Sequence, residues 1–336
     1  MSRFTMPALV DLYGRDATVE AALRGGFRAV VVGPLEQPSD VRARLASRGD
    51  PRVNVLVAGA LTKGLRGEEI ADVGLLVKAG AAVLSNGGVP LKNARVLRHV
   101  LEYAGRTGVP VMLRAADPDL EAGGVVREGP RASWLGLPAV PPEAEEIGIA
   151  TVAALVRRTG TAVHLTHLWS ARGVEALRRA RAEGLPITAS TTAHHLVLSD
   201  ELIDATAYAG VCRFVPPLGD DADRRALVDA LRDGTIDAVA TDHKEIPLHL
   251  QDREIEIAEP GARGLETAYA LVLGALGDAT LTSKVLSAGP ARILGLSVVD
   301  EVDVEPDVDW VVGPDTLVGP PYNTPLLGAR LRGRVL

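Results

Sequence analysis

An aspartate and four histidines follow directly after three short β-branched segments of this chain. They are Asp242 and His243, His167, and His194 and His195. Because the carboxyl ends of parallel strands meet at one face of a barrel, we expect these side chains to converge at a barrel mouth. There His167, His194 and Asp242 could hold one divalent metal ion, with Asp242 or a water molecule acting as the base.

A structural role is the alternative interpretation of these histidines. Imidazoles at strand ends also hydrogen bond to backbone groups, and the residue types alone leave both interpretations open. His164 lies three residues before His167, inside the same predicted strand. Since side chains alternate between the two faces of a strand, the two imidazoles point in opposite directions, and we expect only His167 to face the mouth.

The elements that position these residues alternate regularly along the chain. Strands are predicted at Ala8–Leu12, Ala29–Val32, Val53–Ala58, Ala82–Leu84, Val109–Leu113, Ala162–Thr166, Pro186–Ser190 and Ile236–Ala240. Helical patterns between them include Thr18–Arg24, Ser39–Ala46, Leu91–Tyr103, Glu143–Val156, Ala171–Ala182 and Ala222–Leu231. This alternation predicts an α/β fold of the (β/α)8 TIM-barrel type. A doubly wound sheet is the alternative, but no Gly-x-Gly-x-x-Gly turn follows any strand.

Two long loops and a small C-terminal unit complete the predicted fold. The loop Ala115–Pro142 is rich in Pro and Gly, and the loop His243–Gly261 is charged. Long loops after barrel strands act as lids or as partner surfaces. We expect residues 1–296 to form the barrel and residues 297–336 to form short β-strands that pack on it.

Composition and charge exclude several classes of protein. Apolar residues make up 47% of the 336 residues, and the net charge is −7, without a long basic stretch. Nucleic acid and anionic membranes are therefore not expected partners. The single cysteine, Cys212, excludes an internal disulfide and predicts a reducing compartment. With no signal-peptide pattern and no long apolar run, a cytoplasmic protein is expected.

A series of short motifs runs through nearly the whole chain. The motifs are Pro7–Leu12, Gly25–Val31, Glu128–Glu145, His167, His194–Leu196, Gly234–His243, Pro260–Thr267, Pro290–Leu296 and Tyr322–Gly333. In this order and number they resemble the dihydroorotase branch of the amidohydrolase superfamily. The resemblance implies that a cyclic amide is hydrolysed or closed, with one or two metal ions activating a hydroxide and an aspartate after strand eight moving the proton.

The metal ligands that the resemblance implies are mostly missing. The family pattern has a His-x-His pair after strand one, an acidic bridging ligand after strand four, and histidines after strands five and six. Only His167 and Asp242 match ligand positions. The other ligand positions hold Tyr13, Arg15, Gly87 and Arg114. His194 and His195 match family positions that are not metal ligands in this branch.

Positions for substrate recognition also depart from the family pattern. The arginine that grips the substrate carboxylate falls near Ala17, the two substrate-binding asparagines fall at Leu35 and Val215, and a second motif histidine falls near Ile246. Two ligands from different strands cannot hold a hydrolytic metal ion tightly. We therefore expect no cofactor, with zinc as the ion if the site has been rebuilt.

The functional hypothesis is a catalytically inactive dihydroorotase-like protein that acts as a structural or regulatory partner in pyrimidine biosynthesis. Inactive dihydroorotase homologues scaffold aspartate carbamoyltransferase, so the resemblance makes that enzyme the expected partner, beside a homo-oligomer. One alternative is an active dihydroorotase, or another cyclic-amide hydrolase, with a rebuilt metal site. A second alternative is a small-anion sensor in which Arg15, Arg114 and His167 hold the ligand. The other predicted pocket residues are His194, His195, His243 and Gly261.

A buried Asp242 without a metal ion needs another counter-charge. We expect Arg15 or Arg114 to supply it as a bidentate partner. The family's small β-unit takes strands from both ends of the chain, whereas this sequence begins almost at barrel strand one. We therefore expect no N-terminal strand in the small unit, and an exposed edge that could contact a partner.

Overall fold

Eight short strands of mainly aliphatic, buried residues form the centre of the fold. The computed structural model describes residues 3–15, 18–47, 49–206, 209–297, 300–319 and 322–336. Its strands are β1 (Phe4–Pro7), β2 (Leu9–Asp11), β3 (Phe27–Leu35), β4 (Asn54–Ala60), β5 (Val83–Ser85), β6 (Val111–Leu113), β7 (Val126–Arg127), β8 (Ala139–Val140), β9 (Val163–Leu165), β10 (Ile187–Thr192), β11 (Ala238–Ala240), β12 (Glu301–Val311) and β13 (Arg330–Val335). The barrel strands are hydrogen bonded in the order β2, β3, β4, β5, β6, β9, β10, β11, and their ladders are parallel. The predicted (β/α)8 barrel is confirmed, and each predicted strand overlaps one of these eight.

Helices connect the strands and pack around the barrel. The α-helices are α1 (Val19–Arg24), α2 (Pro38–Ala46), α3 (Val73–Lys78), α4 (Ala94–Ala104), α5 (Pro118–Glu121), α6 (Pro130–Leu135), α7 (Glu143–Thr159), α8 (Ala171–Ala182), α9 (Leu202–Ala205), α10 (Asp221–Arg232), α11 (Leu248–Gln251), α12 (Ala268–Leu276), α13 (Ala279–Ser283) and α14 (Gly289–Leu294). In α8 the Ser170 side chain accepts a hydrogen bond from the Gly173 N–H, and the residues Val174 and Leu177 are buried. A cap and an apolar face at helical spacing explain why α8 coincides with its predicted range. Across the described ranges, no helix combines the length and apolar composition needed to cross a bilayer.

A buried carboxylate, Asp11, connects the first and last strands of the barrel. Asp11 ends β2, and Thr241 directly follows β11. The Thr241 N–H donates to Asp11 Oδ1 at 2.8 Å, and the Thr241 hydroxyl donates to Oδ2 at 2.6 Å. Burial raises the pKa of the Asp11 carboxyl, and the two hydrogen bonds oppose that effect. These hydrogen bonds therefore fix the end of β11, the eighth barrel strand, and with it the position of Asp242.

Both ends of the chain form a three-stranded antiparallel sheet. Strand β12 pairs with β1 on one side and with β13 on the other, and Phe4 lies opposite the buried Val304. The expectation that no N-terminal strand enters this unit is therefore wrong, and Phe4–Pro7 does not belong to the barrel segment 1–296. The alternation of side chains over four residues is too short to distinguish β1 from β2, which follows it almost at once.

Arginine ion pairs hold the long loop after β6. This loop contains α5, β7, α6 and β8. Arg127 pairs with Asp223 at the start of α10, and Arg131 pairs with Asp204 in α9. Because both pairs link the loop to segments that follow β10, the loop is fixed against that part of the barrel rather than left as a free lid.

Packing of the small sheet on the barrel can be tested with two valines of β12. Val304 is fully buried and belongs to the main core cluster, whereas Val311 is 54% exposed. We expect Val304→Ala to lower the free energy of unfolding by about 1 to 3 kcal/mol, since it leaves a cavity in a packed core. The matched control, Val311→Ala, is expected to change it by less than about 0.5 kcal/mol. Urea denaturation measures both, and equal losses would contradict the packing described.

Candidate functional site

Two residues with left-handed backbone conformations bring the ends of β9 and β11 together. His167 has a φ of 59° and Asp242 a φ of 48°. Non-glycine residues are strained in this region, and such strain clusters at functional positions. His167 Nε2 lies 3.2 Å from Asp242 Oδ1, and each residue is only 2% exposed. The structure thus brings together the two residues that match family ligand positions.

A lysine that the motifs do not single out completes this cluster. Lys244 Nζ lies 3.1 Å from Asp242 Oδ2, and Lys244 is only 6% exposed. Burial by itself raises the pKa of the Asp242 carboxyl, but the Lys244 ammonium and His167 outweigh burial and hold that pKa below its ordinary value. Asp242 is therefore an ionised carboxylate with an ammonium group as its principal counter-charge.

Arg114 is buried but has another carboxylate partner. Its Nη2 lies 2.6 Å from Glu121 Oε2 in α5, and its Nε donates to the Gly88 carbonyl. The guanidinium therefore ties the loop after β6 to the loop after β5. Glu121 lies in the long Pro- and Gly-rich loop, where the sequence carries no sign that it would meet Arg114.

Arg15 is exposed and lines a cavity of about 590 Å³ together with Tyr13. Within the described chain, the ion pairs of the Asp242 carboxylate are those with Lys244 and His167. The expectation that Arg15 or Arg114 balances Asp242 is therefore wrong. Lys244 follows Asp242 by two residues, so it reaches the carboxylate through a short loop without any long-range pairing.

His194 and His195 are buried, and their ring nitrogens bind nearby backbone and hydroxyl groups. His194 Nε2 donates to the Arg263 carbonyl at 3.1 Å. His195 Nδ1 lies 2.7 Å from Thr192 Oγ1, and its Nε2 donates to the Pro217 carbonyl at 3.2 Å. Burial lowers the pKa of each imidazole to about 4. These contacts favour the structural interpretation of the pair.

The other two predicted pocket residues, His243 and Gly261, hold the loop after β11. His243 Nδ1 accepts a hydrogen bond from the Gly264 N–H at 3.1 Å. A Cβ atom on Gly261 would lie only 2.6 Å from Asn323 Oδ1, so glycine permits the close approach of the C-terminal segment. Ala17, the position of the expected carboxylate-gripping arginine, lies outside the described residues.

The residues at the mouth do not fit the metal site that the resemblance implies. A hydrolytic zinc ion needs three protein donors and an open position. Among the residues that the structure describes, no three His, Cys, Asp or Glu side chains are arranged to hold a metal ion. Tyr13, at one of the expected ligand positions, packs edge-on against His167 with ring centroids 4.7 Å apart. The Lys244 ammonium, moreover, lies against the carboxylate that would be a ligand.

Comparison with known proteins identifies the family. A family model described as dihydro-orotase-like matches residues 7–172. The dihydroorotase of Anaeromyxobacter dehalogenans strain 2CP-1 is 36% identical over an alignment 365 residues long. The alignment covers 99% of this chain and 84% of that protein. The chain belongs to the dihydroorotase-like family. A second relative, the dihydroorotase of Pelotomaculum thermopropionicum, is 35% identical over 98% of this chain and 84% of its own length.

Solved structures similar to this dihydroorotase-like chain share its fold. L-hydantoinase from Arthrobacter aurescens superimposes with a TM-score of 0.81 over 99% of this chain and 83% of that one, at 19% identity. D-hydantoinase from a Thermus species gives a TM-score of 0.78, also at 19% identity. Both matches support the amidohydrolase-type barrel fold.

His164 is separated from the mouth and lies between β9 and β10. Its Nδ1 lies 3.0 Å from Thr188 Oγ1, and its Nε2 lies 3.0 Å from Ser190 Oγ. Burial lowers the pKa of His164 to about 3. The neutral imidazole therefore joins two adjacent barrel strands by hydrogen bonds to hydroxyl groups.

The stability of the dihydroorotase-like chain should consequently fall in acid. A folded-state pKa below the unfolded value of 6.5 means that the unfolded chain takes up the proton first, so stability is lost as the pH falls from about 6.5 toward about 3. We expect the His164→Gln variant to lose about 2 kcal/mol less unfolding free energy than the wild type between about pH 7 and about pH 5. Urea denaturation at both pH values measures this. The control variant His99→Gln replaces an exposed histidine and should lose as much unfolding free energy between the two pH values as the wild type. An equal loss in His164→Gln would contradict the role given to His164.

Proposed function

We propose that this dihydroorotase-like protein is catalytically inactive and acts in the cytoplasm as a structural or regulatory partner in pyrimidine biosynthesis. The observation that carries the proposal is the state of Asp242. One carboxylate oxygen lies against the Lys244 ammonium, and the other faces His167 Nε2. A base that moves a proton during amide hydrolysis needs an oxygen that is open to the substrate. Asp242 is only 2% exposed, its Oδ2 is bound by Lys244, and its Oδ1 is buried beside His167 Nε2 without a hydrogen-bond partner.

The composition of the mouth supports the same proposal. Positions that would complete a metal site hold an aromatic side chain, two arginines and a glycine. Arg114 is committed to Glu121, and Tyr13 packs against His167. Rebuilding a hydrolytic centre would require breaking these contacts, which gives no support to the alternative of an active cyclic-amide hydrolase.

Aspartate carbamoyltransferase is the partner that we propose, by analogy with inactive dihydroorotase homologues. Exposed apolar side chains on the two long loops supply a suitable surface. Trp134 in the loop after β6 is 76% exposed, and Ile257 in the loop after β11 is 64% exposed. Exposed aromatic side chains are typical anchors of protein interfaces.

Metal content and turnover test the absence of catalysis together. Purified protein is expected to contain far less than one zinc ion per chain and to convert neither dihydroorotate nor carbamoyl aspartate. Asp242→Ala should give the same background turnover as the wild type, because an inactive protein does not use Asp242 as a base. Stoichiometric zinc with turnover that Asp242→Ala abolishes would overturn the proposal.

Association tests the proposed partner. The protein is expected to co-elute with aspartate carbamoyltransferase from the same organism in size-exclusion chromatography, and Trp134→Ala is expected to weaken binding about tenfold or more, the loss of an aromatic interface anchor. Tyr103→Ala is the matched control, since Tyr103 is an exposed aromatic residue of α4, outside both long loops. No co-elution, or equal losses in both variants, would exclude this partner surface.

A further inference from the structure

The loop after β11 fixes Lys244 in place on both sides of its side chain. The Lys244 N–H donates to the Ala262 carbonyl at 3.0 Å, and the Lys244 carbonyl accepts a hydrogen bond from Asn323 Nδ2 at 2.6 Å. Gln251 Nε2 in turn donates to Asn323 Oδ1 at 2.6 Å. The backbone that carries the ammonium is therefore bound to the C-terminal segment as well as to its own loop.

The ammonium and its two neighbours form a cluster shielded from water. Lys244, Asp242 and His167 are all nearly fully buried. His167 Nε2 and Asp242 Oδ1 are close but not aligned as a hydrogen bond, and His167 Nδ1 has no hydrogen-bond partner among the described side chains and backbone groups. His167 Nε2 and Asp242 Oδ1, atoms of the kind that bind metal ions, thus lie 3.2 Å apart, while the positive charge beside them comes from a lysine.

We propose that Lys244 is a resident counter-ion that takes the charge-balancing place of a metal ion at the barrel mouth. The cluster then holds the ends of β9 and β11 together without metal, and Lys244 passes this constraint on to the C-terminal segment through Asn323. Lys244 is in this sense a positioning residue. The inference deepens the proposed function, since it explains how an inactive member keeps the folded mouth of its family.

Nearby charged residues do not offer Asp242 another partner. Arg263 lies 3.1 Å from Glu266 and 3.6 Å from Glu245, so its guanidinium serves other carboxylates. His243 Nε2 lies 3.4 Å from Glu245 Oε1. Among the residues that the structure describes, loss of the Lys244 ammonium therefore leaves the buried Asp242 charge with His167 alone.

A double-mutant cycle on the full chain tests the pair. Asp242→Asn and Lys244→Met are each expected to lower Tm by roughly 5 to 10 °C, because each leaves one buried charge without its partner. The double variant Asp242→Asn with Lys244→Met removes both charges, and its Tm is expected to lie above that of either single variant. If the single variants fail to fold while the double variant folds, the double variant is again the more stable one, and the coupling is confirmed.

The exposed pair Lys63 and Glu69 provides the matched control. Lys63→Met and Glu69→Gln are expected to shift Tm by roughly 2 °C or less, and their effects should add. Additive losses at Asp242 and Lys244, or a double variant less stable than both single variants, would overturn the counter-ion assignment.

Zinc supplies a second and independent readout. In Lys244→Ala the ammonium is gone, while the Asp242 carboxylate and the His167 imidazole remain. Two protein donors bind zinc only weakly, so a large excess of zinc is expected to raise the Tm of Lys244→Ala by roughly 1 to 2 °C and to leave the wild type and the variant Asp242→Asn with Lys244→Ala unchanged. No rise in Lys244→Ala, or an equal rise in all three proteins, would refute the replacement of a metal ion by Lys244.

These outcomes are separable from those of the proposed function. Coupling between Asp242 and Lys244 is measured by unfolding alone and requires neither a partner nor a substrate. Failure to bind aspartate carbamoyltransferase with an intact coupling would remove the proposed partner and keep the counter-ion. Additive variants with intact binding would do the reverse.

Discussion

Two hydrogen bonds from Thr241 to the Asp11 carboxylate close the barrel, and the position of the mouth depends on them. Strands β2 and β11 stand at the two ends of the hydrogen-bonded order, so a side chain supplies the link between them. The next residue, Asp242, then extends from the same strand end into the mouth. The fold thus places two buried carboxylates, Asp11 and Asp242, near the junction of β2 and β11, and each is stabilised in a different way.

The two carboxylates differ in the kind of partner that compensates their loss of water. Asp11 accepts hydrogen bonds from a backbone N–H and a hydroxyl, which stabilise it without a full counter-charge. Asp242 receives the ammonium of Lys244 on one oxygen and faces His167 with the other. An unpaired buried charge costs several kcal/mol, so Asp242 without these partners would destabilise the fold. A lysine is suited to this geometry because it is a point charge that serves one oxygen, whereas an arginine fork favours both.

Arg114 stands where the family resemblance implies a metal ligand, and its charge shapes the surroundings of the site. Arg114 follows β6 and is buried, so it needs a carboxylate of its own, and Glu121 in the next helix provides it. The same loop is pinned farther along by Arg127 and Arg131. Charge pairs of Arg114, Arg127 and Arg131 therefore hold the long loop, and the surface that presents exposed Trp134 depends on them.

Much of the fold follows from local patterns in the sequence. Short β-branched segments separated by capped, amphipathic stretches specify the barrel, because strand and helix periods are properties of neighbouring residues. The motif positions likewise place His167 and Asp242 at strand ends. The short strand Phe4–Pro7 is the exception, since its pairing with β12 joins residues about 300 positions apart along the chain, as in the Phe4 and Val304 pair.

The counter-charge of Asp242 was decided by the tertiary structure alone. Sequence determined that a buried aspartate would need a positive partner, because charge and burial follow from residue type and position. It did not determine which of Arg15, Arg114 and Lys244 would reach the carboxylate. That choice depends on Glu121 engaging Arg114 and on the left-handed backbone of Asp242, which directs the following loop so that Lys244 folds back over the mouth.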